Sequence, residues 1–443
     1  MNNPSAPVRS AGALVALVTL LALAVWTATV VVGTLGGWGR TALAPHGDTG
    51  AFMSAARQRI AAESRGNLAF ALIENGRLHD EHFVSTGRPV NRDSLFQVAS
   101  LSKWITAWGV MTLVESGRID LDAPVARYLT RWKLPAGEFD NNGVTVRRLL
   151  SHTAGLTDGL GYAGFPPGVK LQTIEDSLTL ARDASPGRDG AVRVGLAPGS
   201  EWRYSGGGYT LLQLIIEEAA QEPFDVYMRR VVLVPLGMSR SSFGLPADGG
   251  VNVAEFFDVD GSRTTHYRFT AKAAASLYTS TADLTRFIQA QLPGPAGERP
   301  GRGVLRPETL VEMRRPHAAR YGADIWGLGL ILYAPSAPAA GSNATEFIVG
   351  HDGDNAPAIN TTARYDPATG DGIVVLETGN KRLATELGGE WVFWHTGNVD
   401  LFDVLKAGPR ALLLLALGSF AILLAGGLSF WKFRRSASRR RLA

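Results

Sequence analysis

The sequence predicts an α+β domain in which helices flank one antiparallel sheet, with a transmembrane helix at each end of the chain. Strand-like runs flank Glu74-Asn75-Gly76-Arg77 near the start of this domain and Pro367-Ala368-Thr369-Gly370 near its end. The region between these early and late strand-like runs reads as mainly helical. We therefore expect a single sheet built from both ends of the domain, with a helical insertion between them.

Local signals support the individual elements. Residues 49–62 have a helical pattern, and the pair Asn75-Gly76 between apolar runs is the sequence of a two-residue hairpin turn. Residues 209–219 form an apolar helical run after three glycines, and residues 281–291 form an amphipathic one with a Ser or Thr cap. Residues 325–333 are apolar enough to predict one strand.

The first apolar segment, residues 11–36, is either a transmembrane anchor or a signal sequence. Residues 11–32 carry no charge. As a helix rising ~1.5 Å per residue they would reach about 33 Å, which is enough to cross a hydrocarbon core. Their length favours an uncleaved anchor, whereas Ala42-Leu43-Ala44 is a small-x-small cleavage pattern, so both alternatives stay open.

A second uncharged span covers residues 411–431 and is followed by a basic tail, residues 432–443. Positive charge stays on the cytoplasmic side of a membrane, so the tail and residues 1–10 are expected inside the cell. This leaves a globular domain, residues 45–390, outside the cell membrane, joined to the second span by a juxtamembrane linker, residues 391–410. The expected lipid partner is the bilayer that surrounds the two helices.

Composition excludes two classes of function. The net charge of +4 depends on Arg9 and the six basic residues of the tail, so the body of the chain is mildly acidic and no nucleic-acid partner is expected. The chain has no cysteine, which excludes disulfides, thiol nucleophiles and thiolate metal sites. His79 and His82 have a spacing that sends their rings to opposite faces of a strand, so we predict no metal site there.

The strongest chemical signal is Ser100, three residues before Lys103 at the start of an apolar helical pattern. Residues three apart lie on one face of a helix, so the hydroxyl and the amine can come within hydrogen-bond reach. A serine needs a neighbouring base to become a nucleophile, and a lysine acts as that base only when burial lowers its pKa. The apolar residues around Lys103 predict such burial.

Two further motifs carry groups that could act beside this pair. Trp202-Arg203-Tyr204-Ser205 places a phenol just before a predicted helix, where it could accept and return a proton. Gly350-His351-Asp352-Gly353 opens a predicted strand, where a histidine can donate to a substrate. His152, in Leu149-Leu150-Ser151-His152-Thr153, is expected to mark the fold and not to bind a ligand.

Five segments in this order resemble the class C β-lactamases, the penicillin-binding DD-peptidases and the related esterases and D-aminopeptidases. They are VASLSKWIT, LLSHTAGL, WRYSGGGYTLLQLI, VLVPLGMSRSSF and the HDG region, and the likeness runs over residues 52–377. The resemblance implies a β-lactamase/transpeptidase-like fold. It also implies Ser100 as acylated nucleophile, Lys103 as base, Tyr204 as proton shuttle and an active role for His351. The backbone N–H groups of Ser100 and Asp354 would form the oxyanion hole.

The chain departs from the family pattern at two positions. The third residue of the tyrosine motif, usually Asn, is Gly206, and the usual Lys-Thr-Gly is His351-Asp352-Gly353. Substrate contacts are expected from Ser205, Gly206, Asp352 and Gly353. Asp352 and Asp354 place acid on this strand and should repel a substrate carboxylate, which favours a neutral ester or an amide with a free amine.

The sequence therefore predicts a membrane-anchored, extracytoplasmic serine hydrolase that works without metal or cofactor on a small-molecule or peptide ester or amide. Two alternatives remain. One is a DD-carboxypeptidase or β-lactamase acting on cell-wall peptides or β-lactams. The other is a catalytically inactive cell-wall receptor of the same fold, which the missing Asn makes conceivable. A transporter is disfavoured because the two spans contain no charge that could form an ion path.

Overall fold

A computed structural model describes residues 6–159, 161–245, 252–336 and 346–442 of the chain. The chain divides into two compact units. Residues 42–396 form the larger unit, and residues 1–41 together with 397–443 form the smaller one. The first five residues of the predicted cytoplasmic N-terminus lie outside the described part.

The larger unit contains one main sheet, with strand order β2-β1-β12-β11-β10-β9-β8-β7, and two separate pairs, β3 with β6 and β4 with β5. All of these neighbours run antiparallel. The strands are β1 (Leu68–Glu74), β2 (Arg77–Val84), β3 (Phe96–Gln97), β4 (Phe256–Phe257), β5 (Arg263–Thr264), β6 (Tyr278–Thr279), β7 (Ala318–Arg320), β8 (Ala323–Trp326), β9 (Ile331–Pro335), β10 (Phe347–Asn355), β11 (Ile359–Tyr365) and β12 (Gly372–Thr378).

Helices fill the chain between the early and the late strands. They are α1 (Ala6–Leu35), α2 (Thr49–Glu63), α3 (Ser102–Glu115), α4 (Val146–Leu150), α5 (Ile174–Thr179), α6 (Gly206–Ala220), α7 (Phe224–Met228), α8 (Lys272–Ala275), α9 (Thr281–Gln289), α10 (Pro307–Arg314), α11 (Leu383–Thr396) and α12 (Leu401–Leu442). Short 3-10 turns cover Ala99–Leu101, Val125–Arg127 and Asn141–Gly143, and a π-helical turn covers Arg229–Leu233. The predicted mixed architecture, with an antiparallel sheet drawn from both ends of the domain, is confirmed.

Both predicted hairpins form, and the first shows why its sequence is informative. Asn75 and Gly76 have φ angles of 51° and 72°, so both central residues of the turn between β1 and β2 are left-handed. A turn of this kind matches the twist of two antiparallel strands joined by two residues, and Asn and Gly adopt it most easily. β1 thereby pairs with β2 on one side and with β12 on the other.

The single strand predicted over residues 325–333 is wrong. The chain forms the end of β8 there, turns through Gly327 to Gly329, and returns as β9. Gly329 has a φ of 83°, and a side chain at this position would overlap the Cβ of Ala107 on α3. The apolar character of the segment is real, since Leu328 and Leu330 are fully buried, but a tight turn cannot be distinguished from a strand by hydropathy.

The sheet is covered on both faces. Helices α2 and α11 lie on one face, while the turn Ala99–Leu101, α3 and α9 lie on the other. On that second face Trp104 of α3 packs its ring 4.9 Å from Phe287 and 6.0 Å from Tyr365. Truncating a buried aromatic of this size typically costs about 3–5 kcal/mol, so this contact fixes the start of α3 firmly against the sheet.

Most of the predicted juxtamembrane linker is helical. Residues 391–396 complete α11, and α12 begins at Leu401, so the connection between them is short. The larger unit extends to residue 396 because Trp394 packs against its first residues. The ring of Trp394 lies 4.7 Å from that of Phe52, and its Nε1–H donates to the carbonyl of Pro45 at 2.6 Å. The first and last residues of this unit are thus held together.

The smaller unit consists of α1 and α12. Residues 12–35 of α1 and 408–435 of α12 are long and apolar enough to cross a membrane. The side chain of Arg40, which follows α1, forms an ion pair of 2.9 Å with Asp403 near the start of α12.

Candidate active site

The turn Ala99–Leu101 presents Ser100 at the start of α3. Ala99 has a φ of 47°, a left-handed conformation that costs energy for any residue with a side chain. Two hydrogen bonds stabilise the turn: the Ser102 hydroxyl donates to the Ala99 carbonyl at 2.6 Å and accepts from the Leu277 N–H at 3.0 Å. Backbone N–H groups in the first turn of a helix lack intrahelical acceptors, so the amide of Ser100 can serve a ligand.

Lys103 lies one turn further along and is only 1% exposed. Its Nζ is 3.0 Å from the Oγ of Ser100 and donates to the carbonyl of Ala274 at 2.7 Å. Burial lowers the pKa of Lys103 to about 7, although the nearby Asp158 carboxylate opposes this effect. A large fraction of Lys103 is therefore neutral at physiological pH and has a lone pair that can accept the proton of Ser100.

Tyr204 completes the group around the serine. Its hydroxyl is hydrogen-bonded to Ser100, and its ring centroid lies 5.1 Å from the Nζ of Lys103. Burial raises the pKa of the Tyr204 phenol well above its usual value, and the bond with Ser100 offsets only part of that rise. Tyr204 is consequently a neutral phenol at physiological pH, so it can donate a proton, whereas neutral Lys103 can accept one.

His152 fixes the loop that carries Tyr204. Its carbonyl accepts from the N–H of Arg203 at 2.8 Å, and its ring Nδ1 accepts from the N–H of Ser205 at 3.2 Å. The ring centroids of His152 and Tyr204 are 4.3 Å apart. Since Nδ1 accepts, the ring proton sits on Nε2, and burial together with the charge of Lys103 keeps the pKa of His152 well below its usual value. The structure thus supports the structural role predicted for His152.

Asp158 is a part of the site that the sequence did not reveal. Its carboxylate is buried, accepts from the N–H of Gly207 at 2.8 Å and accepts from the hydroxyl of Ser205. The Ser205 hydroxyl also accepts from the N–H of Gly208 at 2.8 Å, as the N-cap of α6. Ser205 is 3% exposed and fully engaged, so its hydroxyl is not directed to a substrate as predicted but fixes the helix that follows Tyr204.

His351 projects from β10 towards the same group. It is 1% exposed, its Nδ1–H donates to the carbonyl of Asp352 at 2.6 Å, and burial with the charge of Lys103 lowers its pKa to about 4. The ring is therefore neutral at physiological pH. Its Nε2 is buried and has no hydrogen-bond partner among the described residues, which leaves it available as an acceptor. The prediction that His351 donates to a substrate is therefore wrong, because its one ring proton is bonded to Asp352.

Asp352 lies on the opposite face of the sheet from His351, because successive side chains of a strand alternate. Its carboxylate accepts from Thr362 at 2.6 Å, from Tyr333 at 2.9 Å and from the guanidinium of Arg364 at 3.0 Å. The structure therefore does not bring this charge to Ser100. The repulsion predicted between a substrate carboxylate and Asp352 has no geometric basis, because Arg364 neutralises the aspartate on the far face. Strand alternation places Asp354 on that same far face.

Gly353 and Asp354 place backbone beside the nucleophile. A side chain at position 353 would overlap the carbonyl oxygen of Val98, two residues before Ser100, so the close approach of β10 to this turn requires glycine. The Oγ1 of Thr361, opposite Gly353 on β11, donates to the same carbonyl at 3.0 Å. The contact brings the peptide after Gly353 next to the turn, as an oxyanion hole formed by the amides of Ser100 and Asp354 needs.

Gly206 stands where the family pattern has Asn, and a neighbouring aromatic ring occupies the space. A Cβ at position 206 would lie 3.0 Å from the Cε2 of Tyr162, tighter than ordinary van der Waals contact. The site therefore offers no carboxamide at this position. Tyr162 was not identified from the sequence, since a single tyrosine in a glycine-rich loop has no distinguishing pattern.

The described residues contain no group of three or more His, Asp or Glu side chains placed to hold a metal ion. At the strand where two histidines were considered, His79 instead pairs with Glu74, with 3.1 Å between Nδ1 and Oε2.

Comparisons with known proteins identify the family. A model of the family described as Beta-lactamase matches residues 52–391. Esterase EstB of Burkholderia gladioli is 30% identical over 290 residues, which cover 57% of this chain and 70% of the esterase. Penicillin-binding protein 4* of Bacillus subtilis is 33% identical over 35% of this chain, but the match spans only 32% of that protein.

Solved structures show the same fold at lower identity. The octameric penicillin-binding protein homologue from Pyrococcus abyssi superimposes with a TM-score of 0.61 at 23% identity, covering 78% of this chain and 76% of that one. The D-amino acid amidase from Ochrobactrum anthropi gives a TM-score of 0.57 at 22% identity, covering 82% and 98%. With a family model that matches most of its length, the chain belongs to the beta-lactamase family of serine hydrolases.

Proposed function

We propose that the protein is a serine hydrolase that acts through an acyl-enzyme on Ser100. The observation that carries the proposal is the 3.0 Å separation between Ser100 Oγ and the Nζ of Lys103, whose pKa is lowered to about 7. A nucleophile next to a base that is partly neutral at physiological pH is the arrangement that acyl transfer requires.

In the first half of the reaction, neutral Lys103 takes the proton from Ser100 as Oγ attacks the substrate carbonyl. The backbone amides of Ser100 and Asp354 would stabilise the oxyanion, and preorganised donors of this kind typically contribute about 3–4 kcal/mol each. The phenol of Tyr204 gives its proton to the leaving alcohol or amine, and protonated Lys103 restores it. The carbon–oxygen or carbon–nitrogen bond of the substrate breaks, and Ser100 carries the acyl group.

In the second half, a water molecule attacks the acyl-enzyme. The same groups act again: Lys103, neutral once more, takes a proton from the water, and the phenol of Tyr204 gives its proton to the Ser100 oxygen as that oxygen leaves. Protonated Lys103 then restores the phenol. Acid and free enzyme result. His351, neutral and with an unoccupied acceptor at Nε2, is suited to accept a hydrogen bond from the substrate or from Tyr204.

We propose a neutral ester or amide as substrate, for a reason that differs from the one the sequence suggested. The family's Lys-Thr-Gly would place a cation on this strand, whereas His351 is neutral because its pKa is about 4. Position 351 of this strand therefore carries no positive charge that could bind a substrate carboxylate. Similarity to an esterase and to a D-amino acid amidase supports the choice. A DD-carboxypeptidase or β-lactamase activity is the second candidate.

The proposed location is the cell membrane, with the larger unit on the extracytoplasmic side. Two helices long enough to span and a basic segment after the second one support this topology. An inactive receptor of the same fold remains the main alternative to an enzyme.

A fluorophosphonate probe tests the proposal on the full-length chain in detergent. Wild type should be labelled once, at Ser100, and should hydrolyse p-nitrophenyl acetate with a burst of nitrophenol. The S100A variant should lose both, whereas S116A should retain both, because Ser116 is the C-cap at the far end of the same helix and its hydroxyl donates to the carbonyl of Leu113 at 3.1 Å. An unlabelled wild type with intact thermal unfolding would favour the receptor.

A further inference from the structure

The ring of Tyr162 lies against Gly206, two residues after Tyr204, and forms a wall there. Its Cε2 and Cδ2 atoms lie 3.0 and 3.5 Å from where a Cβ of Gly206 would stand. The ring is only 5% exposed, and its hydroxyl is paired with the Oγ1 of Thr210 at 2.7 Å. The ring therefore presents carbon atoms, and no free hydrogen-bonding group, to the space beside Gly206.

Backbone contacts of the loop around Tyr162 hold the wall in place. Tyr162 forms a backbone bridge with Ala184, and the N–H of Ala163 donates to the carbonyl of Asp183 at 2.6 Å. The same loop is tied to the start of α6 through Asp158, which binds Gly207. Because the ring is fixed at its hydroxyl and along its backbone, moving it to admit a substrate would cost free energy.

We propose that Tyr162 determines acyl specificity and restricts the enzyme to esters and amides with a short, uncharged acyl group. The inference rests on the proposed function. An acylamino group would find no carboxamide at position 206, and a long acyl chain would collide with the ring. One methylene group in an apolar pocket typically changes discrimination by about 10-fold or more, so the wall should produce a steep dependence on chain length.

A series of p-nitrophenyl acetate, butyrate and octanoate tests the wall. In wild type, kcat/KM should fall from acetate to octanoate. Y162A should raise the ratio of octanoate to acetate by about 10-fold or more, and Y162L should raise it less, because leucine fills part of the space. Y162F keeps the ring and loses only the bond to Thr210, so its ratio should stay within about twofold of wild type.

Fluorophosphonate labelling identifies the folded fraction of each variant, and Y162L provides a second route if Y162A does not fold. An unchanged ratio in a variant that is still labelled would overturn the role of Tyr162 while leaving the hydrolase intact. A wild type that is neither labelled nor active would instead overturn the proposed function itself.

A second, independent observation concerns the two apolar helices of the smaller unit. A side chain at Gly418 of α12 would overlap the indole of Trp26, whose Nε1–H also donates to the Leu414 carbonyl at 3.3 Å. A Cβ at Gly426 would lie 2.5 Å from the Oγ1 of Thr19. Gly418 and Gly426 thus form notches filled by side chains of α1, which is how helices associate closely in a membrane.

We infer that α1 is retained as a transmembrane helix paired with α12, and is not removed as a signal sequence. Cleavage after Ala44 would remove Trp26 and Thr19 together, and would also remove Arg40, the ion-pair partner of Asp403. Without the side chains of α1, the notches at Gly418 and Gly426 would face lipid and contribute nothing to helix packing. Retention of α1 accounts for all three contacts.

The absence of cysteine from the chain makes this pairing directly testable. In T19C/G426C the two Cβ atoms would start 3.4 Å apart, close to the ~3.8 Å mean of disulfides. Molecular iodine would oxidise the two thiols to one disulfide in native membranes and be reduced to iodide, with release of two protons. The matched control is T19C/G427C, since a Cβ at Gly427 meets nothing within 4 Å.

We expect an intramolecular disulfide in T19C/G426C, on a chain that keeps an N-terminal epitope tag, and little in T19C/G427C. Loss of the tag with no disulfide would overturn the inference. So would a disulfide only between two chains, or equal yields in both double variants.

Discussion

The ring Nδ1 of His152 accepts a hydrogen bond of 3.2 Å from the N–H of Ser205, while its carbonyl accepts one of 2.8 Å from Arg203. The two bonds hold Tyr204 between them. His152 achieves this with a left-handed backbone, at φ 58°. A residue outside the reacting group thus sets the position of the phenol that bonds to Ser100.

Replacing His152 should therefore affect the rate more than substrate binding. Asn tolerates a left-handed backbone and carries an acceptor near the place of Nδ1, whereas Ala provides neither. We expect H152A to lower kcat by roughly 100-fold with KM nearly unchanged, and H152N to recover most of that loss. Steady-state kinetics on p-nitrophenyl acetate measures both. Equal losses in the two variants would contradict the positioning role.

The pKa of Lys103 predicts the pH dependence of the reaction. Lys103 acts as base only when neutral, so kcat/KM should rise as pH increases through about 7 and then level off. The carboxylate of Asp158 raises the pKa of Lys103. In D158N the amide oxygen can still accept from Gly207 but the charge is gone, so the midpoint should move to lower pH. A midpoint that stays in place or moves upward would contradict this coupling.

Burial of the Lys103 amine should lower the free energy of unfolding of the protein. Its pKa is lowered on folding, so the unfolded chain binds more protons between about pH 7 and the usual lysine range, and stability should rise with pH over that interval. K103M removes the buried amine while keeping most of its volume. We expect K103M to be inactive yet to unfold a few degrees higher at pH 7, measured by thermal unfolding in detergent. A lower unfolding temperature would show that the bond to Ala274 outweighs desolvation.

The pair of Asp352 and Arg364 should matter for stability and not for substrate choice. Arg364 is 1% exposed, and removing the partner of a buried ion pair typically costs about 3–5 kcal/mol. D352A should therefore unfold at a markedly lower temperature, while its preference for a neutral ester over an ester with a free carboxylate stays as in wild type. Improved turnover of the acidic ester in D352A would restore the electrostatic argument made from sequence.

Parts of this structure were predictable because the deciding interactions are local. Asn75-Gly76 specifies its own turn, and Ser100 and Lys103 meet because they are one helical turn apart. The position of Asp352 on the far face could also be predicted from strand alternation, since its neighbour His351 faces the nucleophile. The sequence argument did not apply this alternation and placed the carboxylate of Asp352 on the face of Ser100.

Other parts depend on contacts that no local pattern encodes. Asp158 and Tyr162 reach the site through contacts with the start of α6, at Gly207 and Thr210, and neither has a periodic or motif signal. The break between β8 and β9 likewise follows from the close approach of Gly329 to Ala107. Such contacts are set by tertiary packing.

The most direct test of the central claim is the identity of the acyl-enzyme. Full-length protein mixed with p-nitrophenyl acetate at pH 7, quenched in acid and digested, should carry an acetyl group on the peptide that contains Ser100. The same peptide from K103M should remain unmodified. Acetylation at another residue, or equal acetylation of Ser100 in K103M, would contradict the account of a serine activated by the lysine one turn away.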